Sequence, residues 1–489
     1  MMKPLVACLL SLLLLPSNLP AQQFGQTLPP ASDSKQLYIV HVTVIDATGR
    51  PPRPDMTVTI TGERITAIER SRRVHVPKNA NVLEGAGQYL IPGLWDMHVH
   101  ALSADRNEIY FPLLIANGVT GIRDMGTTLP LEQIHQLQNK IASGKVLGPR
   151  IVAAGPIVDG PKPVWPFSVA VANELEGRQA VDLLKREGAD FIKVYNLLPR
   201  AAYFAIVDEA RKKGLTVVGH VPLSVTAAEA SEVGQKSIEH LNGVLLACST
   251  NEAALMKERL AVSASFDRES MSSLNRARAR QLLETFSPEK AAALFRRFAH
   301  NGTWQTPTLV ALRVLAYWND GSLTADPHLK YIPPFIKREW NPKDDFRFRN
   351  RSPEDVRNVR LIYQKNIELI GAMRRAHVKI LAGTDLGNPY LLPGFSLHDE
   401  LGLLAKAGLT PMEALQSATR NPAEFLGLLD SLGTIETGKI ADLVLLGANP
   451  LKDINNTQKI RAVIVGGKLL DQSELRKMLA SASVAAGSQ

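Results

Sequence analysis

The segment Ile91-Pro92-Gly93-Leu94-Trp95-Asp96-Met97-His98-Val99-His100 is an apolar run that ends in two histidines one residue apart. Residues two apart in a strand face the same side, so both imidazoles sit together at the upper rim of the strand. Downstream, the pattern becomes an alternation of strands and helices. Apolar strands end near His100, Asp124, Gly155, Tyr195, His220, His240, Val310 and Asp385. Between them, Leu175 to Glu187, Arg200 to Lys213 and Pro353 to His377 carry apolar residues at helical spacing. Ser352-Pro353-Glu354-Asp355 is a helix start, with a cap, a proline at the first position and then acids. Eight strands, each followed by a helix or long loop, predict an α/β protein with a (β/α)8 TIM barrel over residues 92–428. The units are long, which places insertions at about 245–300 and 311–350, on the face where such barrels build their sites.

The flanks read differently. Leu37-Tyr38-Ile39-Val40, Val42-Thr43-Val44-Ile45 and Met56-Thr57-Val58-Thr59-Ile60 are strand-like, as are Ala441 to Leu446 and Ile460 to Val465. Residues 36–91 and 429–475 are therefore expected to form one small β-sandwich domain built from both termini, followed by a C-terminal tail at 476–489. The start is of another kind. Met1-Met2-Lys3 precedes an apolar run from Pro4 to Leu15, which is too short to span a bilayer as a helix, a task that takes about 20 residues. It reads as a signal peptide over 1–21, cleaved near Ala21, and implies an exported protein, periplasmic or secreted. Residues 22–35 read as a flexible tether, and no later stretch is apolar enough for a membrane span.

Composition excludes several classes. In 489 residues, 45% are hydrophobic and 21% charged, values of a globular chain and not of a disordered or fibrous one. The net charge of +9 is spread among mixed blocks (Arg211-Lys212-Lys213, and RARAR at 276–280) with no basic arm, so no nucleic-acid partner is expected. Of the two cysteines, Cys8 leaves with the leader, and Cys248 alone makes no intrachain disulfide. Such a fold relies on its core.

The chemistry gathers at strand ends. His220 ends Leu215-Thr216-Val217-Val218-Gly219-His220, and His240 ends Lys236-Ser237-Ile238-Glu239-His240. Asp385 ends the run from Val378, and Lys193 sits in the otherwise apolar Phe191-Ile192-Lys193-Val194-Tyr195. Singly, each has an ordinary reading: a core histidine, a helix-capping aspartate, a lysine that snorkels to the rim. Together, four imidazoles and a carboxylate at one end of the strands form a ligand set for Zn2+ or a similar divalent ion.

The order His-x-His, Lys, His, His, Asp resembles that of the amidohydrolase superfamily of metal-dependent hydrolases. Residues 91–100, Gly118 to Gly126 and Gly433 to Val444 are similar to that superfamily's signatures, and the likeness covers about residues 36–470. Lys193 and Leu397-His398-Asp399-Glu400-Leu401 look most like the imidazolonepropionase-related and prolidase-like (Xaa-Pro dipeptidase-like) branch. The resemblance implies two divalent metal ions, zinc first among the candidates. His98, His100 and Asp385 would hold one and His220 and His240 the other, with Lys193 bridging them as N6-carboxylysine. Without carboxylation, a one-metal site on His98, His100, His220 and Asp385 remains. It further implies cleavage of a C–N bond in an amide, dipeptide or cyclic amide by a metal-bridged hydroxide. Asp385 would serve as general base and then acid, and Tyr195 would donate to the developing oxyanion. His398 and Lys162 are candidate substrate contacts, Lys162 for a carboxylate, because the loop at 155–166 lacks the histidine that members of the branch often carry there. Arg123 and Asp124 are expected to pair beneath the site. The expected partner is a small-molecule or dipeptide-like substrate, and a homo-oligomer is left open. Two alternatives stand: a lactone or ester hydrolase on the same site, and a non-catalytic metal-binding protein of the same fold.

Overall fold

A computed structural model describes residues 36–263 and 278–487. The expected signal peptide and tether lie outside these residues, as does part of the insertion at 245–300. Among the described residues, no helix is long and apolar enough to cross a membrane.

Five strands precede the histidine segment: β1 (Leu37–Val44), β2 (Arg53–Thr61), β3 (Arg64–Arg70), β4 (Asn81–Glu84) and β5 (Tyr89–Pro92). Three more close the chain: β15 (Leu443–Leu446), β16 (Ile460–Val465) and β17 (Lys468–Leu470). They join as one eight-stranded sheet in the order β17-β16-β15-β5-β1-β2-β3, with β4 beside β1. The termini do build one domain together: its strands pair as one continuous sheet, and residues from its two ends, among them Val58, Ile60, Leu443, Leu445 and Ile464, share one core. His41, at φ 57°, kinks β1 in its middle. Its first half pairs β4 and its second half β5. The C-terminal tail is an ordered helix, Gln472–Gly487. Leu475 packs with Ile115 and Val463, and Ala482 with Leu113 and Tyr331.

The interior holds β6 (Leu94–Val99), β7 (Val119–Asp124), β8 (Arg150–Ala153), β9 (Val158–Asp159), β10 (Val169–Ala170), β11 (Ile192–Val194), β12 (Val217–Gly219), β13 (Ser237–Glu239) and β14 (Trp304–Thr306). Pairing among them is parallel throughout, in a three-stranded sheet β6-β7-β8 and a six-stranded sheet β10-β9-β11-β12-β13-β14. Backbone hydrogen bonds connect the two. Asp190 N donates to Ala153 O at 3.0 Å, Leu381 N to Gln305 O at 2.9 Å and Met97 N to Ala382 O at 2.9 Å. Around Asp385 the strand pairing is reduced to isolated parallel bridges, Gln305 to Ile380 before it and Val99 to Leu386 after it. Val310, expected at a strand end, lies instead in the helix Leu309–Tyr317. Pro307 offers no N–H to extend β14, and Thr308 turns left-handed at φ 47° before that helix begins.

The segment at 91–100 stitches the two regions together, since β5 belongs to the terminal sheet and β6 to the parallel one. Gly93 makes the crossing: its N donates to Asp442 O at 2.7 Å, and a Cβ there would lie 2.2 Å from Thr120 Oγ1. The helices follow the sequence closely. Ser352 Oγ accepts from Asp355 N with Pro353 at the first turn, and the helix Pro353–Arg375 follows.

One buried acid sits under this scaffold. Glu400 accepts from Val310 N through Oε2 at 2.7 Å, while its Oε1 has no partner. Burial pushes its pKa up to about 8. A folded-state pKa above the unfolded one gives stability that is whole below about pH 4 and is lost as pH rises through about 8. The melting temperature is therefore expected to fall between pH 5 and pH 8.5, and to fall less in Glu400→Gln. Identical slopes in the two proteins would contradict this.

Candidate active site

Backbone geometry brings the expected ligands to neighbouring strand ends. His98 and His100 come from the end of β6, and His220 follows β12. A Cβ on Gly219, just before His220, would lie 2.2 Å from Val194 O and 2.9 Å from Lys193 Cδ, so only glycine lets the two strands bring His220 and Lys193 this close. Two ligand candidates depart from regular backbone. His240 has φ 57° and Asp385 φ 63°, left-handed values that non-glycine residues hold only where the surroundings impose them. At Asp385 the constraint is visible. Its N donates to His98 O at 2.7 Å, and Asp96 grips the preceding residue through Thr384 N at 2.9 Å and Thr384 Oγ1 at 2.6 Å.

All four imidazoles are held by Nδ1. His98 Nδ1 meets Glu239 Oε2 at 2.8 Å, His100 meets Gly126 O at 2.7 Å, His220 meets Asn196 Oδ1 at 2.9 Å and His240 meets Thr308 Oγ1 at 2.6 Å. The first three partners are acceptors, so Nδ1 carries the proton and Nε2 the lone pair. Such bonds fix tautomer and orientation in metal-binding histidines. The rings crowd together, with centroids 4.5 Å apart for His98 and His240 and 5.0 Å for His220 and His240. Asp385 Oδ1 lies 3.4 Å from Nε2 of both His98 and His100. One ligand atom each from His98, His240 and Asp385 fall within 4.8 Å of one another.

The electrostatics suit a divalent cation. Burial, then the Lys193 cation, pushes His98 and His220 well below the usual imidazole range, and burial brings His240 down to about 4. Asp385 is held below the usual carboxylate range; burial opposes this, but His240, His100 and His98 outweigh it. Lys193 is buried on β11, its Nζ has no partner, and burial lowers its pKa to about 8. His98 Nε2 is likewise buried without a partner. His100 differs: burial works against its charge, but Asp385 raises its pKa. Two orphaned nitrogens, three imidazoles kept neutral by burial and an ionised carboxylate in one space are a donor set that fits divalent metal.

Below the site lies a buried hub that the sequence reading missed. Arg123 does not pair with Asp124. Its Nη2 donates to Glu239 Oε1 at 3.0 Å and its Nε to Met97 O at 2.7 Å. Asp124 instead accepts from the backbone N–H groups of Ala101, Leu102 and Gly126. Glu239 also takes the Ser237 hydroxyl, so one carboxylate ties His98, Arg123 and β13 together. The available signal was a charged residue within a three-residue strand whose neighbours are all buried.

Above the metal candidates opens a cavity of about 530 Å3, lined by His100, Lys193, Tyr195, His220, His240 and Asp385 among others. Tyr195 Oη accepts from Trp165 Nε1 at 3.2 Å, and burial pushes the phenol up to about 12. Trp165 and Phe167, stacked at 6.3 Å, come from the loop that lacks the expected histidine. The 311–350 insertion supplies Glu339, bonded to Arg106 at 2.6 Å, and Arg347. Neither of the two expected substrate contacts reaches the cavity. Lys162 is exposed on the surface. His398 is buried in the helix Phe395–Lys406, where Nδ1 meets Thr457 Oγ1 at 2.9 Å and Nε2 meets Asn117 O at 3.1 Å. It joins the terminal region to the helical layer.

Parallel strands with ligand-bearing C-terminal ends, a sheet from both termini and a His/Lys/Asp cluster define a class, and the comparisons agree with it. The model of the amidohydrolase family matches residues 89–279 and 341–470. The chain belongs to the amidohydrolase family. Imidazolonepropionase from Pseudomonas putida (strain GB-1) is 46% identical over 74 residues, which cover 15% of this chain and only 18% of that protein. Ochratoxinase from Aspergillus niger is 24% identical over 445 residues, 78% of this chain and 75% of that protein. Among solved structures, a Xaa-Pro dipeptidase with bound methionine in the active site superposes with a TM-score of 0.64 at 22% identity, covering 89% of this chain and 100% of that one.

Proposed function

We propose that this protein is an exported, metal-dependent hydrolase that cleaves a C–N bond of an amide, dipeptide or cyclic amide. We read its two parallel sheets as one closed (β/α)8 barrel. The observation that carries the reading is the set of four Nδ1-anchored imidazoles facing Asp385 and an unpartnered, buried Lys193. The activities named for the imidazolonepropionase, the ochratoxinase and the Xaa-Pro dipeptidase lie in the same chemical range.

His98, His100 and Asp385 would hold one divalent ion and His220 and His240 a second, with Lys193 between them. A neutral amine is the form that takes up CO2, and the lowered pKa of Lys193 makes that form accessible near neutral pH. Carboxylation would add carbon dioxide to Nζ with release of one proton, giving an anion able to serve as a further ligand. Such ions polarise a carbonyl and lower the pKa of water towards 7. The remaining steps belong to the chain. Asp385 takes the proton of the attacking water and returns it to the leaving nitrogen. Tyr195, protonated at neutral pH and already accepting from Trp165, has its own O–H free to donate to the carbonyl oxygen as charge develops there.

Zinc-loaded protein assayed on N-acyl amino acids, dipeptides and cyclic amides, with a lactone panel alongside, tests the reading. Turnover of an amide is expected. Turnover confined to lactones would replace the C–N assignment, and inertness across all panels would leave a metal-binding protein. Metals that bind only the folded state stabilise it by mass action. A chelator is accordingly expected to lower the melting temperature, restored by added zinc, and no shift would argue against a resident metal.

A further inference from the structure

The 311–350 insertion brings two charged residues to the cavity: Glu339, already bonded to Arg106, and Arg347. The Arg347 side chain is 22% exposed and faces the cavity that holds Tyr195 and Asp385. Three contacts fix its plane: Nε donates to Asp345 Oδ1 at 3.0 Å, Nη2 to Asp345 Oδ2 at 2.6 Å and Nη1 to Asn388 Oδ1 at 2.8 Å. A guanidinium has five N–H groups in a rigid fork. These bonds use one on each nitrogen, so one N–H on Nη1 and one on Nη2 remain. Two N–H groups of a planar guanidinium are thus left to serve an oxyanion such as a carboxylate. The stacked Trp165 and Phe167 line the same cavity and offer an apolar surface.

We propose that Arg347 is the specificity residue of this site, binding a carboxylate on substrates that also carry an aromatic or large apolar group against Trp165 and Phe167. The substrate class is then an amide whose amine or acyl half ends in a free carboxylate, such as an N-acyl aromatic amino acid or a dipeptide. Arg347 lines the same cavity as Asp385 and Tyr195, so a carboxylate held there lies beside the groups that handle the scissile bond. Lys162, the residue expected to hold a carboxylate, is exposed, and the insertion supplies the cation instead. The location of the scissile bond rests on the hydrolase reading above, but the binding assignment is tested without turnover.

The test is calorimetric binding of 3-phenylpropanoate and of 3-phenylpropan-1-ol to the zinc-loaded protein. The two probes share the aromatic arm, and neither can be hydrolysed. The acid is expected to bind roughly ten- to a hundred-fold tighter than the alcohol, the usual worth of a charged hydrogen-bonded pair. Arg347→Met should erase most of that ratio, and Arg347→Lys, which keeps the charge without the fork, should lower it in part. Equal affinities in the wild type would overturn the proposal. So would a ratio that survives both substitutions, because the carboxylate would then be bound by metal or another group. If Arg347→Met fails to fold, an undiminished ratio in Arg347→Lys overturns it alone. An Arg347-dependent ratio in a protein that does not hydrolyse N-acetylphenylalanine would sink the hydrolase reading and leave the Arg347 assignment in place.

Discussion

Asp385→Asn is expected to lower kcat by about a thousand-fold, within the span attributed to general acid–base groups. Asparagine keeps the size of the side chain and one carbonyl oxygen to face Nε2 of His98 and His100, each now 3.4 Å from Oδ1. It has no carboxylate to take up a proton. The backbone at this position is left-handed, φ 63°, and asparagine tolerates that region better than most residues. The grip of Asp96 on Thr384 is untouched by the change. Folding should therefore survive, and circular dichroism with a melting curve close to wild type would show that the loss is chemical. A variant retaining more than a tenth of wild-type kcat would remove Asp385 from the proton-transfer role.

The largest expected loss of stability is at Arg123, not at any metal candidate. Arg123→Met leaves the Glu239 carboxylate buried without its cation, and breaking a buried pair in this way costs about 3–5 kcal/mol. Arg123 also donates to Met97 O at 2.7 Å and to Ser237 Oγ at 3.2 Å, and its guanidinium lies 5.0 Å from the Phe425 ring. The change therefore loosens β6, β7 and β13 together. Much of the loss comes from the uncompensated charge, so Arg123→Met combined with Glu239→Gln should be more stable than Arg123→Met alone. Chemical unfolding of the three proteins measures both effects. A single-variant loss under about 1 kcal/mol, or no recovery in the double variant, would contradict the ion-pair account.

The cluster was legible in the sequence because chemistry-bearing residues stand out at the ends of apolar strands. His98, His100, Lys193, His220, His240 and Asp385 each close or interrupt such a run, and the fold brings five of them to the cavity wall with His98 beneath. What held them in place was not legible. The Nδ1 partners of the histidines are 141 residues away for His98 and 68 for His240, distances at which strand periodicity carries no information. The left-handed turns at His240 and Asp385 break the alternation that would otherwise place their side chains, and only the packed neighbours enforce them. His398 misled for the opposite reason. Helical spacing says which residues share a face but not what that face meets, and here it meets Thr457 and the Asn117 carbonyl. Arg347 was hidden in an insertion, where loop length is readable but direction is not. The terminal segments were recognisable as strands, but the order in which they pair, with β1 kinked at His41 between β4 and β5, was not.

The central claim is that Lys193 completes a two-metal site. Metal content per chain, measured on purified wild type and on Lys193→Ala after equal zinc loading, tests it most directly. The account predicts two ions in the wild type and one or fewer in the variant. Equal stoichiometry in the two proteins, or a wild type that retains no metal, would contradict it.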